Sequence, residues 1–373
     1  MRRALVIGAV LLALGGGWFV LAESSGEAPV TGAGDRTAED VAAMPRQGTQ
    51  AMASAATPPA VQPPSANQAT STSGLAFVIN SAQASIDLID VATRQTVRRI
   101  PVLREPHHMA LTPDHRFLVI GDTGANELLF LDPVNGELAR RVPVSDPYQF
   151  GYSPDGKWLV VNGLLRNQVD IYDAISMRLA SRIPISSMPS HENFSPDSTV
   201  VYVTLQSSNS VAAISVPTGK VLWKAVVGPV PAGVLWHRGK LLVGVMGADY
   251  VAVVDPASGR VERRIVTAKG AHVLFVPHDG RVIYVTNRVD GSIVVLDPDT
   301  LGEIRRFRIP GGPDDMDFAP DGKIWVTRRW EHSVAVVDPL TGAYTTLPTG
   351  RSPHGIWLNT HDTLAARIAS SAR

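Results

Sequence analysis

The chain contains no cysteine. Disulfides, thiolate metal sites, cysteine nucleophiles and covalently attached c-type haem, which needs a Cys-x-x-Cys-His run, are excluded together. Aromatic residues are sparse, at 6%. Net charge is also absent: 34 Lys and Arg balance 34 Asp and Glu, so no global field draws the chain to nucleic acid or anionic lipid. A Gly-x-Ser-x-Gly nucleophile elbow, a phosphate-binding glycine loop and a His-Glu-x-x-His zinc helix are all missing. Turn formers are plentiful: 32 Gly and 28 Pro in 373 residues, with 45% hydrophobic residues to build a core. That combination suits short strands in an all-β fold. A core of this size can dispense with disulfides even outside the cytoplasm.

Arg2 and Arg3 precede an almost uncharged apolar run, 4–21, which Val20-Leu21-Ala22 closes with residues a signal peptidase reads. Residues 1–22 are therefore expected to be a signal peptide, with an uncleaved membrane anchor as the alternative. Either places the remainder outside the cytoplasm, periplasmic or secreted, and only the uncleaved form would touch a membrane. Residues 23–73 are rich in Ala, Pro, Ser, Thr, Gly and Gln. Such a stretch buries too little apolar surface to offset its ordering entropy, so a disordered linker is expected. Residues 361–373 are expected to form a C-terminal tail.

Between these segments one unit recurs. Asp90, Asp132, Asp173, Ser215, Asp255, Asp297 and Asp338 each open a turn, at gaps of 42, 41, 42, 40, 42 and 41 residues. A period near forty with four short strands per unit predicts a β-propeller. In one unit, 271–275, 282–287, 292–296 and 303–309 read as the four strands, separated by turns in which Gly, Pro and Asp are structural. First strands begin near Pro106, Pro147, Pro189, Pro231, Gly270, Pro313 and Pro353. The last has no successors, whereas residues 75–102 supply three strands without a first. Seven antiparallel blades over 74–360 are expected, closed by N- and C-terminal strands sharing one blade. Arginines on the fourth strands (Arg98-Arg99, Arg140-Arg141, Arg182, Arg263-Arg264, Arg305-Arg306) read as protection of exposed edges rather than a nucleic-acid rim.

Tyr284-Val285-Thr286-Asn287 is the run that names the YVTN β-propeller repeats, and Tyr202-Val203-Thr204 and Trp325-Val326-Thr327 are close variants. Pro353-His354-Gly355-Ile356 and Ser153-Pro154-Asp155-Gly156 resemble the start and first turn of that repeat. The resemblance covers about 74–358. It implies the fold; similar propellers include lactonase-like enzymes and the haem-binding propeller of a nitrite reductase, so it leaves function open.

Ligands of propellers usually sit at the channel mouth, where the first strands begin. Aligning those starts on Pro or Gly gives one column of His107, Tyr148, Ser190, Ala232, Ala271, Asp314 and His354, and a next of His108, Gln149, His191, Gly233, His272, Asp315 and Gly355. The family often has His in the first of these and Gly in the second, so His108, His191 and His272 depart from it. Three imidazoles in alternate blades predict a transition-metal or noncovalent haem site, with Asp314 and Asp315 opposite. Loops on the same face add Asn287, Arg288, Arg328, Arg329 and Trp330, which suit a carboxylate, phosphate or aromatic ligand. His107, Gln149 and His354 complete the expected ligand-binding set. The principal reading is a propeller that binds a small molecule or protein partner at this mouth. The alternatives are a lactonase- or lyase-like enzyme using Glu192 as general base with Arg328, and a pure interaction scaffold.

Overall fold

The computed structural model describes residues 74–101 and 104–360. The expected signal peptide, linker and C-terminal tail lie outside the described residues. No helix among the described residues is long and apolar enough to cross a membrane.

The forty-residue unit folds as its turns dictate. At its third turn a carboxylate caps the backbone: Asp90 Oδ1 accepts from Thr93 N at 2.7 Å, and Asp297 Oδ1 from Thr300 N at 2.7 Å. Such Asx turns reverse the chain tightly, so each unit becomes a four-stranded antiparallel sheet. Seven such sheets form among the described residues. We number the blades 1 to 7 by their inner strands: Pro106–Leu111, Gln149–Tyr152, Pro189–Phe194, Pro231–His237, Ala271–Phe275, Pro313–Phe318 and Pro353–Asn359. The last of these pairs antiparallel with Leu75–Asn80, matching Leu75 to Asn359 and Val78 to Ile356, so blade 7 is assembled from both ends of the propeller. The strands expected in blade 5 are found at Ala271–Phe275, Ile283–Asn287, Ser292–Leu296 and Glu303–Arg308.

Second and third strands are buried on both faces because each blade packs between two others, as in Ile283–Asn287 and Ser292–Leu296. The core lies in the seams. Phe77, Ile79, Ile86 and Leu88 of blade 7, for example, interleave with Leu118, Ile120, Leu129 and Leu131 of blade 1. Each such side chain contributes about 1.5–3 kcal/mol on burial. Fourth strands are exposed, and their arginines do more than block edges. Arg99 reaches Asp87 at 2.5 and 3.0 Å, Arg182 reaches Asp170 at 2.9 and 2.7 Å, and Arg140 lies 4.0 Å over the Phe130 ring.

One irregularity matters for function. In blade 1, Pro106 pairs with Asp122 but Met109 pairs with Ile120, so His107 and His108 together oppose the single residue Gly121. The same β-bulge recurs in blades 3, 4, 5, 6 and 7. A bulge re-aims side chains, and His107, His108, His191, His272, Asp314 and His354 all lie at these bulges.

Candidate functional site

The register changes the alignment read from the sequence. Blade 5 has no proline at this point, and Ala271, not Gly270, pairs where the prolines pair elsewhere. His272 therefore occupies the same bulge position as His107, Asp314 and His354, while Val273 is the counterpart of His108. Only His108 and His191 share the second position.

The bulges bring five imidazoles together. Ring centroids lie 5.3 Å apart for His107 and His354, 4.5 Å for His108 and His354, 5.3 Å for His108 and His191, and 5.6 Å for His191 and His272. Tyr148 stands 4.7 Å from His107 and 5.3 Å from His108. Burial holds every one of these imidazoles below its ordinary pKa. His108 falls to about 3, with His107 adding to the effect, and His272 falls to about 4, with Arg288 adding. His107 is lowered, and His191 and His354 lie well below the usual range. All five are neutral at pH 7, the state in which imidazole ligates metals.

Their hydrogen-bond partners fix which nitrogen carries the proton. His354 Nδ1 lies 2.6 Å from Asp314 Oδ2. Burial pushes the Asp314 carboxyl up, but Arg288, His354 and His272 outweigh it and hold the group well below its usual range. An ionised carboxylate only accepts, so His354 donates from Nδ1 and its buried Nε2 is left without a partner. His108 Nδ1 faces the Tyr148 carbonyl at 2.7 Å and must donate to it, leaving the lone pair on Nε2. His107 Nε2 lies 3.1 Å from Glu105, whose carboxyl is lowered first by its bond to His107; the buried Nδ1 of His107 is unpartnered. Each ring is thus anchored through one nitrogen and offers the other. One nitrogen from each of His107, His108 and His354 lies within 4.8 Å of the other two. Bonds near 2.1 Å in a tetrahedron need donors about 3.4 Å apart, so a bound ion would draw the three rings closer together. Carboxylate or carbonyl acceptors behind the rings are the usual outer support of metal-binding histidines.

Asp314 is the hub of the far side. Its Oδ1 accepts from Arg288 and lies 3.0 Å from His272 Nδ1; its Oδ2 accepts from His354 and, at 3.2 Å, from Arg329. His272 donates from Nδ1 and accepts at Nε2 from Arg288 at 2.8 Å. Both its nitrogens already have partners in Asp314 and Arg288. His191 bonds Ser190 through Nδ1 at 3.2 Å, and its buried Nε2 has no partner.

The remaining candidates disperse. Arg328 turns outward, donating to Pro310 O at 2.7 Å and to Ser333 Oγ at 3.0 Å. Trp330 lies half in solvent over Gly312, where a Cβ would sit 2.7 Å from the ring, so its contact is structural. Asn287 Oδ1 accepts from Thr267 at 2.8 Å within the wall. Asp315 accepts from its own strand, at Met316 N, and burial beside the Asp314 charge raises its carboxyl well above the usual range. Glu192 lies in the seam between blades 2 and 3, where it accepts from Asn162; its amide donates to Gln149 Oε1 at 3.0 Å. Burial raises its carboxyl well above the ordinary value. Glu192 and Arg328 belong to blades on opposite sides of the ring and are not brought together. The residue overlooked in the sequence is Glu105; its place just before Pro106 was the available signal.

A family profile described as YNCE-like beta-propeller matches residues 44–364. No curated protein matches the sequence. Among solved structures, a functionally unknown protein from Desulfotomaculum acetoxidans is similar at TM-score 0.66 and 15% identity, covering 77% of this chain and 99% of that one. The dihydro-heme d1 dehydrogenase NirN in complex with DHE is similar at TM-score 0.59 and 16% identity, covering 79% and 77%. Virginiamycin B lyase from Staphylococcus aureus is similar at TM-score 0.58 and 15% identity, covering 68% and 91%. At these identities the likeness shows the fold.

Proposed function

The chain belongs to the YNCE-like β-propeller family, and we propose that it is an exported propeller holding one transition-metal ion at its channel mouth through His107, His108 and His354. One observation carries this reading: three neutral, clustered imidazoles are each locked by an acceptor on one nitrogen and leave the other free. Buried polar atoms without partners are costly, and a d-block ion would satisfy His107 Nδ1 and His354 Nε2 together. Imidazole sets suit Zn, Cu, Fe or Ni, and three ligands leave a coordination position open. An intercalated haem fits less well, because rings 4.5–5.3 Å apart leave no slot for a macrocycle between them.

The test is metal content of the purified chain by mass spectrometry, followed by Cu(II) and Zn(II) titration of chelator-treated protein. One equivalent should bind to wild type, with at least a tenfold loss in His354→Ala and in His108→Ala. Absence of stoichiometric uptake, or equal uptake by both variants, would leave the scaffold reading in its place.

A further inference from the structure

Charge at the histidine group points to what the open coordination position takes. His107, His108 and His354 are neutral donors, so none offsets the charge of a divalent ion. Asp314, the carboxylate behind His354, already faces both Arg288 and Arg329. Glu105, behind His107, is 41% exposed at its side chain and shares its charge with solvent. Desolvated charge without compensation is costly, so an ion here is balanced only by a further anion.

Two groups stand ready for one. Arg329 makes a single side-chain hydrogen bond, from one terminal nitrogen to Asp314, and is 23% exposed at its side chain. The rest of its planar fork is available, and that fork matches the two oxygens of a carboxylate. His191 offers the second group, its buried and unpartnered Nε2. Ser190 Oγ lies 3.2 Å from Nδ1 and 3.0 Å from Thr204 Oγ1; when the Ser190 hydroxyl donates to Nδ1, the proton of His191 sits on Nε2, ready to be donated. Tyr148 packs beside His107 and His108 on one side of the group.

From this convergence we infer that the metal site binds a small carboxylate or similar monoanion as its exogenous ligand, with Arg329 as the residue that selects for negative charge. The inference rests on the metal reading above. It assigns Arg329 a ligand contact and separates it from its neighbour Arg328, which serves the wall.

The experiment uses full-length chain loaded with one equivalent of Cu(II), titrated with azide, acetate and the neutral isostere acetamide while the copper absorption spectrum is followed. Azide and acetate should shift the spectrum saturably and acetamide should not. Arg329→Gln should weaken acetate binding roughly 10- to 100-fold, the range for a lost charged hydrogen bond, with part restored in Arg329→Lys. If wild type takes up no copper, the metal reading itself falls. If wild type binds copper but acetate leaves its spectrum unchanged, or acetamide acts equally well, the anion inference is overturned while the metal site stands. Should Arg329→Gln bind copper poorly, the contrast between acetate and acetamide on wild type still decides the matter.

Discussion

Asp314→Asn tests the hub with almost no change in volume. The carboxylate accepts from four donors, two at each oxygen: Arg288 and His272 at Oδ1, His354 and Arg329 at Oδ2. An amide keeps one acceptor oxygen and replaces the other with a donor. Two of the four donors would then face an N–H, and both guanidinium groups would lose their counter-charge. Arg288 is only 14% exposed at its side chain, so solvent replaces little of the loss. Breaking a buried pair in this way costs about 3–5 kcal/mol. For a urea dependence of about 3 kcal/mol per molar, the midpoint should fall by roughly 1–1.7 M. Urea titration followed by circular dichroism measures this directly. The double variant Asp314→Asn/Arg288→Met should recover part of the loss, because the stranded cation is then gone. A midpoint shift below about 0.3 M, or a double variant weaker than the single, would refute the view that the carboxylate neutralises buried cations.

Further outcomes follow from other parts of the molecule. His272 titrates at about 4 against 6.5 for a free imidazole; its folded pKa is depressed, so its contribution is present above pH 6.5 and is lost as pH falls toward 4. At pH 5 this group alone should cost about 2 kcal/mol, and the other four depressed imidazoles act with the same sign. Glu192 and Asp315, raised on folding, act in the opposite sense and favour the folded state at low pH. Because these contributions oppose one another, the imidazoles are followed individually by NMR titration of the ring protons: a His272 ring that titrates at about 6.5 in the folded chain would contradict the neutral-imidazole assignment. Gly244→Ala would press a methyl into the backbone carbonyl of His272 across the seam between blades 4 and 5. A loss of about 1–3 kcal/mol is expected, and a thermal melt matching wild type would show that the seam is looser than described. Deleting 352–373 removes the fully buried strand Pro353–Asn359 and should abolish the cooperative melt, while deleting 23–73 should leave it in place.

Much of the architecture was legible because its signals are periodic and local. Turn-forming residues, six Asp and Ser215, set the period, the first-strand starts from Pro106 to Pro353 counted the blades, and a first strand without successors, set against three strands without a first, revealed the closure. The site was legible only in part. A bulge adds a residue without altering the apolar pattern, so nothing in the sequence marked where blade 5 begins its own, and His272 was placed one position late. Arg328 and Arg329 appeared as a pair, yet the strand ends at Arg328 and Arg329 lies in the turn that follows, so Arg328 bonds Pro310 and Ser333 while Arg329 bonds Asp314. Glu192 reads as a general base from the sequence, where its seat in the seam and its bond to Asn162 are invisible. In the other blades its position carries Met109, Phe150, Val234, Leu274, Met316 or Ile356. The carboxyl fits only because Gly151 leaves room for it and Asn162 bonds it.

Closure and site share the same seam. His354 lies on the C-terminal strand of blade 7, and His107 and His108 lie on the first strand of blade 1. The candidate ligand group therefore straddles the place where the two ends of the propeller meet. It exists only when Pro353–Asn359 has paired with Leu75–Asn80 and packed against Pro106–Leu111. An ion held by all three rings, as proposed, would bridge the closing strand to its neighbouring blade. Binding to the folded ring alone stabilises that ring, by about 2.7 kcal/mol at a free ion concentration a hundredfold above Kd. On the proposed reading, ion binding and ring closure would be linked reciprocally: whatever opens the seam would lower metal affinity, and loading the metal would resist opening. His107 and His354, each directly after the proline that opens its first strand, give one half of such a clasp. The second histidine of blade 1, with Glu105, Tyr148 and Asp314 locking the rings from behind, supplies the other half.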